Sequence, residues 1–150
     1  MAITQHRSTV AAMDPVLLYR LLELRVAVFV VEQHAAYPDL DGRDVEAGAE
    51  LLRAEEEGAV LSTVRVLRER TAMRIGRVAT APAARSRGVA SALMQAAVDR
   101  CVELAPGLPV VLDAQEHLTD WYGRFGFTVS GARFFEDDIP HVRMVRLPAS

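Results

Sequence analysis

The sequence has few of the features that mark secreted or membrane proteins. It contains one cysteine, Cys101, so no disulfide can form within the chain. Its longest unbroken apolar run covers residues 26–31 and is far too short to cross a bilayer. The first fifteen residues hold no apolar run behind a basic start, so we identify no signal peptide. These absences lead us to expect a cytoplasmic protein without a membrane partner.

The sequence also lacks a strong charge bias and any recognisable metal-ligand spacing. Seventeen Lys and Arg against twenty Asp and Glu give a net charge of −3, whereas nucleic-acid binders normally have a basic bias. The four histidines are not spaced as zinc ligands are. The Asp-rich loop fails the EF-hand order, because Gly42 comes too early and Arg43 interrupts the ligands. We therefore predict neither a nucleic-acid partner nor a metal.

What the chain does contain is enough apolar material for one packed domain. Apolar residues make up 51% of 150 positions, which argues against disorder, and we predict a single domain over residues 1–150. Asp14 and Pro15 mark the start of a helix that fades near residues 32–34. Further helices are predicted over 88–104 and 117–125, and strands over 49–53, 59–68, 73–81, 110–112, 127–135 and 141–147. A first strand before Asp14 is only weakly marked. This order predicts an α/β or α+β fold: a mixed sheet of about six to seven strands with helices on its faces.

The most informative stretch is a turn that joins a predicted strand to the start of a predicted helix. A helix start leaves backbone N–H groups unpaired, and the helix dipole adds partial positive charge there. Two small residues allow an anion to approach the backbone, and two arginines add positive charge. The P-loop and dinucleotide fingerprints are both absent. The turn thus predicts a pyrophosphate cradle made of Arg85, Ser86, Arg87, Gly88, Val89 and Ala90. An ordinary helix start with two solvated arginines is the alternative for this hexapeptide alone.

Several motifs together resemble the GNAT superfamily of N-acetyltransferases. The pattern Arg-x-x-Gly-x-Ala at 85–90 is similar to its coenzyme A signature, and Trp-Tyr-Gly-Arg-Phe-Gly-Phe at 121–127 resembles its tyrosine-containing helix ending in Gly-Phe. Segments 24–33, 37–44 and 136–144 resemble the ElaA-like subgroup. The resemblance covers nearly the whole chain and keeps the order of the motifs.

The resemblance implies a GNAT fold, in which the strand at 73–81 splays from the strand at 110–114 and opens a cleft for acetyl-CoA. Val78, Ala79 and Thr80 would meet the thioester, with the Val78 N–H as the donor to its oxygen. The diphosphate would lie on residues 85–90. Gln115 falls where many members carry Asn, and Tyr122 would protonate the leaving thiolate as a general acid. A core tyrosine is the alternative for Tyr122.

The base and the acceptor stay open at this point. An ammonium group must lose a proton before it attacks, and Glu32 and His141 are our two candidates for the general base. We assign Arg25, Glu32, Asp39 and Asp41 to the acceptor side, since an acidic rim would attract a cationic amine. A solvated loop is the alternative for the two aspartates.

These observations predict an enzyme that moves an acetyl group from acetyl-CoA to a small-molecule or peptide amine by direct attack in a ternary complex. A non-catalytic module that senses acyl-CoA is one alternative. Acyl-homoserine-lactone synthesis is another, because the motif at 25–33 is similar in those synthases, but the compact length of the chain argues against it. Related domains often pair through sheet edges, so a homodimer is one expected assembly.

Overall fold

The computed structural model describes residues 2–149, and its eight strands form one mixed sheet. Across the sheet the order is β1-β2-β3-β4-β5-β8-β6, with β7 also paired to β8. Neighbouring strands are antiparallel except β4 and β5, which are parallel. The strands are β1 (Thr4–Ser8), β2 (Glu50–Glu56), β3 (Ala59–Arg68), β4 (Met73–Thr80), β5 (Val110–Gln115), β6 (Thr128–Val129), β7 (Phe134–Glu136) and β8 (Ile139–Arg146).

The sheet has more strands than the sequence predicts because one predicted strand is divided. Residues 127–135 do not form a single strand: β6 ends at Val129 and β7 begins at Phe134. Between them Gly131 has a φ of 130°, a backbone conformation that favours glycine. The weakly marked first strand does form, as β1 at the edge of the sheet. The predicted hairpin between β2 and β3 is confirmed, and it turns at Glu57 and Gly58, both with positive φ.

Three helices accompany the sheet: α1 (Pro15–Val26), α2 (Val89–Leu104) and α3 (Thr119–Gly123). As predicted, Asp14 caps α1, and its carboxylate accepts hydrogen bonds from the amides of Val16 and Leu17 at 3.0 and 3.1 Å. The chain stays helical beyond α1, but Ala27–Glu32 is a π-helix. This segment is rich in valine, and β-branched side chains crowd the tighter α-helical turn.

The helices cover both faces of the sheet. The main core lies under α2 and α3, where side chains such as Val64, Leu93 and Met94 have no exposed surface. On the opposite face, Leu21 of α1 packs against Leu51 of β2. Cys101 of α2 lies in the main core, where burial raises the pKa of its thiol to about 12. No helix within residues 2–149 combines the length and the hydropathy that crossing a membrane requires.

The two parallel strands at the centre of the sheet separate along their length. Met73 pairs with Val110 and Arg74 with Val111, and the register between β4 and β5 ends there. The remaining residues of both strands border a gap that opens toward their C-terminal ends. This confirms the splay expected between residues 73–81 and 110–114.

Candidate active site

A β-bulge in β4 lies beside this gap. Thr63 of β3 is opposite Ala79, but Arg65 is opposite Gly76, so β4 contains one residue more than its partner over this stretch. Arg77, inside the bulge, has a φ of 52°, which is rare for a residue with a side chain. Because a bulge interrupts the hydrogen-bond ladder, we expect the amide of Val78 to face the gap without a strand partner.

The Arg77 side chain holds the strained bulge in place. Its guanidinium donates hydrogen bonds to the Asp39 carbonyl at 3.2 and 3.3 Å and to Asp41 Oδ2 at 2.9 Å. The same group lies 4.8 Å from the centre of the Tyr37 ring, a cation–π contact. Strained backbone persists where surrounding contacts determine it, and the loop after the π-helix supplies those contacts here.

A network of buried ion pairs holds this loop against α1 and β3. Arg25, with no exposed surface, donates to Asp39 Oδ2 at 3.0 Å and to both carboxylate oxygens of Asp44 at 2.7 and 3.1 Å. Burial opposes the charge of Arg25, but Asp44 and Asp39 outweigh burial and raise the pKa of its guanidinium. Arg65 donates two bonds to Asp41, at 2.9 and 3.0 Å. Burial would raise the pKa of Asp41, but its hydrogen bonds and the neighbouring arginine charges lower it to about 2.

This network bears on the residues that the sequence assigns to the acceptor side. Arg25 and Asp39 are buried and paired with each other, so their placement is that of a structural ion pair and not of a substrate-facing surface. Asp41 does line the cavity described next.

The gap widens into a cavity of about 540 Å³. Its walls come from the β4 bulge, β5, β8, α3 and the loop after the π-helix. The sequence-predicted residues Val78, Gln115, Tyr122 and His141 all line it, although they are far apart in the chain. Other lining residues include Phe29, Gln33, Tyr37, Asp41, Arg77, Asp113, Glu136 and Asp137.

Tyr122 reaches the cavity from α3. Its ring packs edge-on against Trp121 and Phe127, with centroid distances of 4.9 and 6.5 Å, and the residue is 7% exposed. Burial raises the pKa of its hydroxyl to about 12. The hydroxyl therefore stays protonated at neutral pH and can donate a proton or a hydrogen bond.

The predicted phosphate cradle forms the turn between β4 and α2. Gly88 has a φ of 77°, and no atom lies within 4 Å of the position that a Cβ would take. Ser86 also has positive φ, and α2 begins at Val89. Val89 is buried in the main core. A small residue with open space at a helix start fits the close approach of an anion.

Both arginines of this turn are engaged with carboxylates. Arg85 donates to the two oxygens of Glu32 at 2.7 and 2.8 Å, and Arg87 donates to Glu56 at 3.0 Å. The hydrogen bond from Arg85 lowers the pKa of Glu32. Glu32 is thus held beside the turn at residues 85–90 and is absent from the residues that line the cavity.

Ala79 and Thr80, predicted to meet the thioester, continue β4 past the bulge. Ala79 is 2% exposed and packs against Leu24 and Val28, so it offers almost no surface to a ligand. Its carbonyl accepts a hydrogen bond from Ser62 Oγ, which also lies 3.0 Å from Thr80 Oγ1.

His141 is the other candidate base, and it lies in the cavity wall on β8. It is 8% exposed, and its ring stacks on Phe134 at a centroid distance of 5.7 Å and an angle of 25°. Nδ1 lies 2.8 Å from the carbonyl oxygen of Ile139, and Nε2 lies 3.8 Å from Glu136 Oε2.

The sequence analysis did not predict two residues that shape this site. Arg77 and Tyr37 shape the bulge and the cavity, yet neither lies in a pattern that indicates such a role. The available signal was Gly76, because a glycine inside a strand pattern often marks a bulge. Across residues 2–149, no three His, Cys, Asp or Glu side chains are grouped so that they could hold a metal ion.

Sequence comparisons with known proteins point to one family. Residues 19–147 match the family model described as "Acetyltransferase (GNAT) domain". The chain is 41% identical to a UPF0039 protein of Mycobacterium tuberculosis (strain H37Rv) over 139 residues, 89% of this chain and 86% of the relative. It is 37% identical to Protein ElaA of Escherichia coli over 132 residues, 86% of each chain.

Solved structures give the same result. The fold matches the crystal structure of E. coli ElaA with a TM-score of 0.92 and 33% identity, over 97% of this chain and 99% of that one. It matches an acyl-CoA N-acyltransferase from Pseudomonas aeruginosa with a TM-score of 0.92 and 37% identity, over the same shares of the two chains.

Proposed function

The chain belongs to the acetyltransferase (GNAT) family, whose members transfer acyl groups from acyl-CoA, and we propose that it moves an acetyl group from acetyl-CoA to a primary amine. One observation carries this proposal. A single cavity collects a bulged strand at Val78, the separated edges of β4 and β5, and the protonated hydroxyl of Tyr122. Each of these features serves a different part of acyl transfer.

The separated strands suit the extended arm of coenzyme A. Beyond Arg74 and Val111 the facing edges of β4 and β5 are not paired to each other, so a linear ligand can hydrogen-bond to backbone there as an added strand does. Its diphosphate would then lie on the turn from Arg85 to Ala90, where Gly88 leaves the backbone open. This arrangement would set the thioester beside Val78.

The groups around that point supply the chemistry of direct attack. The amide of Val78 donates a hydrogen bond to the thioester oxygen, which gains negative charge as the amine nitrogen bonds to the carbonyl carbon. The carbon–sulfur bond breaks, and Tyr122 gives its proton to the departing sulfur. The acceptor ammonium gives one proton to a base before the attack and loses a second as the carbon–sulfur bond breaks, when Tyr122 regains a proton. The products are an amide, CoA thiol and one released proton.

The test is a turnover screen with acetyl-CoA and amines of four classes: spermidine, glucosamine, a peptide with a free N-terminus and a peptide with an internal lysine. Release of CoA thiol is followed with a thiol reagent, and calorimetry measures CoA binding separately. We expect turnover with at least one class. Binding of CoA without turnover would favour the non-catalytic sensing module, and absence of binding would overturn the proposal.

A further inference from the structure

The geometry points to His141 as the general base that takes the proton of the acceptor ammonium, with Glu136 as the residue that stabilises the resulting imidazolium. This inference rests on the proposed function and adds the one role that the function leaves unfilled. Neither Val78 nor Tyr122 can accept the proton, since one offers an amide N–H and the other is a protonated phenol.

The hydrogen bond at Nδ1 decides which nitrogen is basic. A carbonyl oxygen can only accept, so the 2.8 Å contact between Nδ1 and the Ile139 carbonyl requires the hydrogen to be on Nδ1. In the neutral ring Nε2 then has a free lone pair. This is the tautomer that a general base needs, and the backbone of the same strand fixes it.

The His141 ring lies in the wall of the cavity, between two neighbouring strands. His141 lies between Gln115 of β5 and Phe134 of β7, its cross-strand partners, and the Phe134 ring stacks on one of its faces. The residue is only 8% exposed, and it lines the cavity. No hydrogen-bond partner of Nε2 is found among the described residues. A buried imidazole with one fixed and one free nitrogen is therefore in place beside the cleft.

Glu136 completes the arrangement. Its Oε2 lies 3.8 Å from Nε2, which is too long for a hydrogen bond but suits an ion pair once the ring is protonated. The other ionisable residues that line the cavity are Tyr37, Asp41, Arg43, Arg65, Arg74, Arg77, Asp113, Tyr122 and Asp137.

Glu32, the other candidate for the general base, is paired with Arg85. Both oxygens of Glu32 accept hydrogen bonds from Arg85, and this carboxylate lies outside the cavity lining. An acid in such a pair has a lowered pKa and is a poorer base.

The proton balance of the step is simple. The acceptor enters as an ammonium and gives one proton to Nε2 of His141, which makes its nitrogen lone pair available for attack on the thioester carbon. The second proton leaves the nitrogen as the carbon–sulfur bond breaks, and it replaces the proton that Tyr122 donates to sulfur. His141 then releases its proton to solvent.

The experiment compares wild type, His141→Gln and the control His6→Gln, a histidine on the distant edge strand β1. The probe is whichever of spermidine, glucosamine and the two peptides wild type acetylates fastest. For His141→Gln we expect kcat to fall about 100-fold or more and the acidic limb of the pH–rate profile to disappear. Affinity for CoA should stay within about twofold, and free imidazole should restore part of the rate of His141→Gly.

A kcat for His141→Gln within about threefold of wild type, with the acidic limb intact, would overturn the assignment and leave the proposed function standing. Absence of turnover by wild type with all four amines would instead remove the proposed function, and the base with it. The two failures are thus distinguishable by the wild-type rate alone.

Glu136 is tested against its neighbour Asp138, which lies in the β7–β8 turn and does not line the cavity. Removing the carboxylate leaves the imidazolium formed during the reaction without its counter-charge, so Glu136→Gln should lower kcat about tenfold and leave the KM for the amine within about twofold. Asp138→Asn keeps a residue that tolerates its φ of 63° and should leave kcat unchanged. A wild-type kcat in Glu136→Gln would overturn the role of Glu136.

Discussion

Arg85 and Glu32 form a two-point ion pair across 53 residues of sequence, with nitrogen–oxygen distances of 2.7 and 2.8 Å. The pair ties the end of the π-helical segment to the turn proposed to hold the diphosphate of CoA. A phosphate group bound there would compete with the Glu32 carboxylate for the same guanidinium. We therefore expect the pair to oppose binding of CoA to the free protein.

Replacement of Glu32 by Gln should strengthen CoA binding. An exposed ion pair is worth about 0.2–1 kcal/mol, so the Kd should fall by up to about fivefold. Calorimetry with CoA would measure it, and the effect should shrink at high salt. Glu23→Gln, on the exposed side of α1, is the matched control. A higher Kd in Glu32→Gln would mean that Glu32 positions Arg85 for the ligand.

Substitutions at Gly88 and Gly58 distinguish the effect of backbone strain from the loss of a ligand contact. Both have φ near 80° and no atom within 4 Å of a built Cβ, but Gly58 lies in the β2–β3 hairpin. Alanine at either position should cost a similar stability, about 1–2 kcal/mol. Only the changes at Gly88 should weaken CoA binding, and Gly88→Glu should abolish it because the added side chain and charge occupy the phosphate position. Equal CoA affinity for Gly88→Glu and wild type would contradict the assigned cradle.

Tyr122→Phe should lower kcat without loss of CoA affinity. The change removes one hydroxyl from a packed aromatic cluster, so we expect about a 100-fold drop in kcat and little change in Kd. With a pKa of about 12 the hydroxyl stays protonated through the working range, and wild type should show no alkaline limb from Tyr122 below about pH 10. Tyr19→Phe, on the exposed face of α1, is the control. Unchanged turnover in Tyr122→Phe would remove Tyr122 from the mechanism.

Arg25→Ala should destabilise the fold and not act primarily on acceptor binding. The change leaves Asp39 and Asp44 buried beside a lost partner, which costs about 3–5 kcal/mol. Denaturant unfolding would measure this loss, and Arg20→Ala on the exposed side of the same helix should have little effect. A normal midpoint with a raised KM for the amine would restore Arg25 to the acceptor side.

Asp41 should make the protein sensitive to acid. Its pKa is about 2 in the folded state and its ordinary value is 3.8, so the folded protein binds fewer protons than the unfolded chain between these values. The stabilisation by Asp41 is present above pH 3.8 and is lost as the pH falls toward 2. The Tm difference between wild type and Asp41→Asn should therefore narrow across this window. A difference that stays constant with pH would contradict the paired state of Asp41, and Asp120→Asn serves as an exposed control.

Local signals predicted much of the fold. The Asp14–Pro15 start of α1, the extent of α2 and the β2–β3 hairpin follow from capping, periodicity and turn composition, which act over a few residues. The splay of β4 from β5 came from the family resemblance. The π-helix after Val26 was not predicted, because apolar spacing does not separate it from an α-helix at this length.

The candidate site was harder to predict because its parts meet only in three dimensions. The motif around residues 85–90 indicated the phosphate turn, since its chemistry lies in consecutive residues. Arg25 lies in the segment 24–33 and Asp39 and Asp44 lie in the separate loop segment 37–44, and the spacing of the two segments does not show that these residues pair in the interior. The strained Arg77 depends on the same loop, so its role follows from tertiary contacts and not from spacing.

The rate at which the single thiol, Cys101, reacts with a labelling reagent would report how often α2 separates from the sheet. With no exposed surface and a pKa of about 12, the thiol cannot react with a labelling reagent until α2 lifts from the sheet. Because each chain has one cysteine, it is labelled once, and the labelling rate reports how often this part of the protein unfolds locally. The decrease in the labelling rate when CoA is added would measure how strongly a ligand at the N-terminal end of α2 stabilises the whole helix against local unfolding.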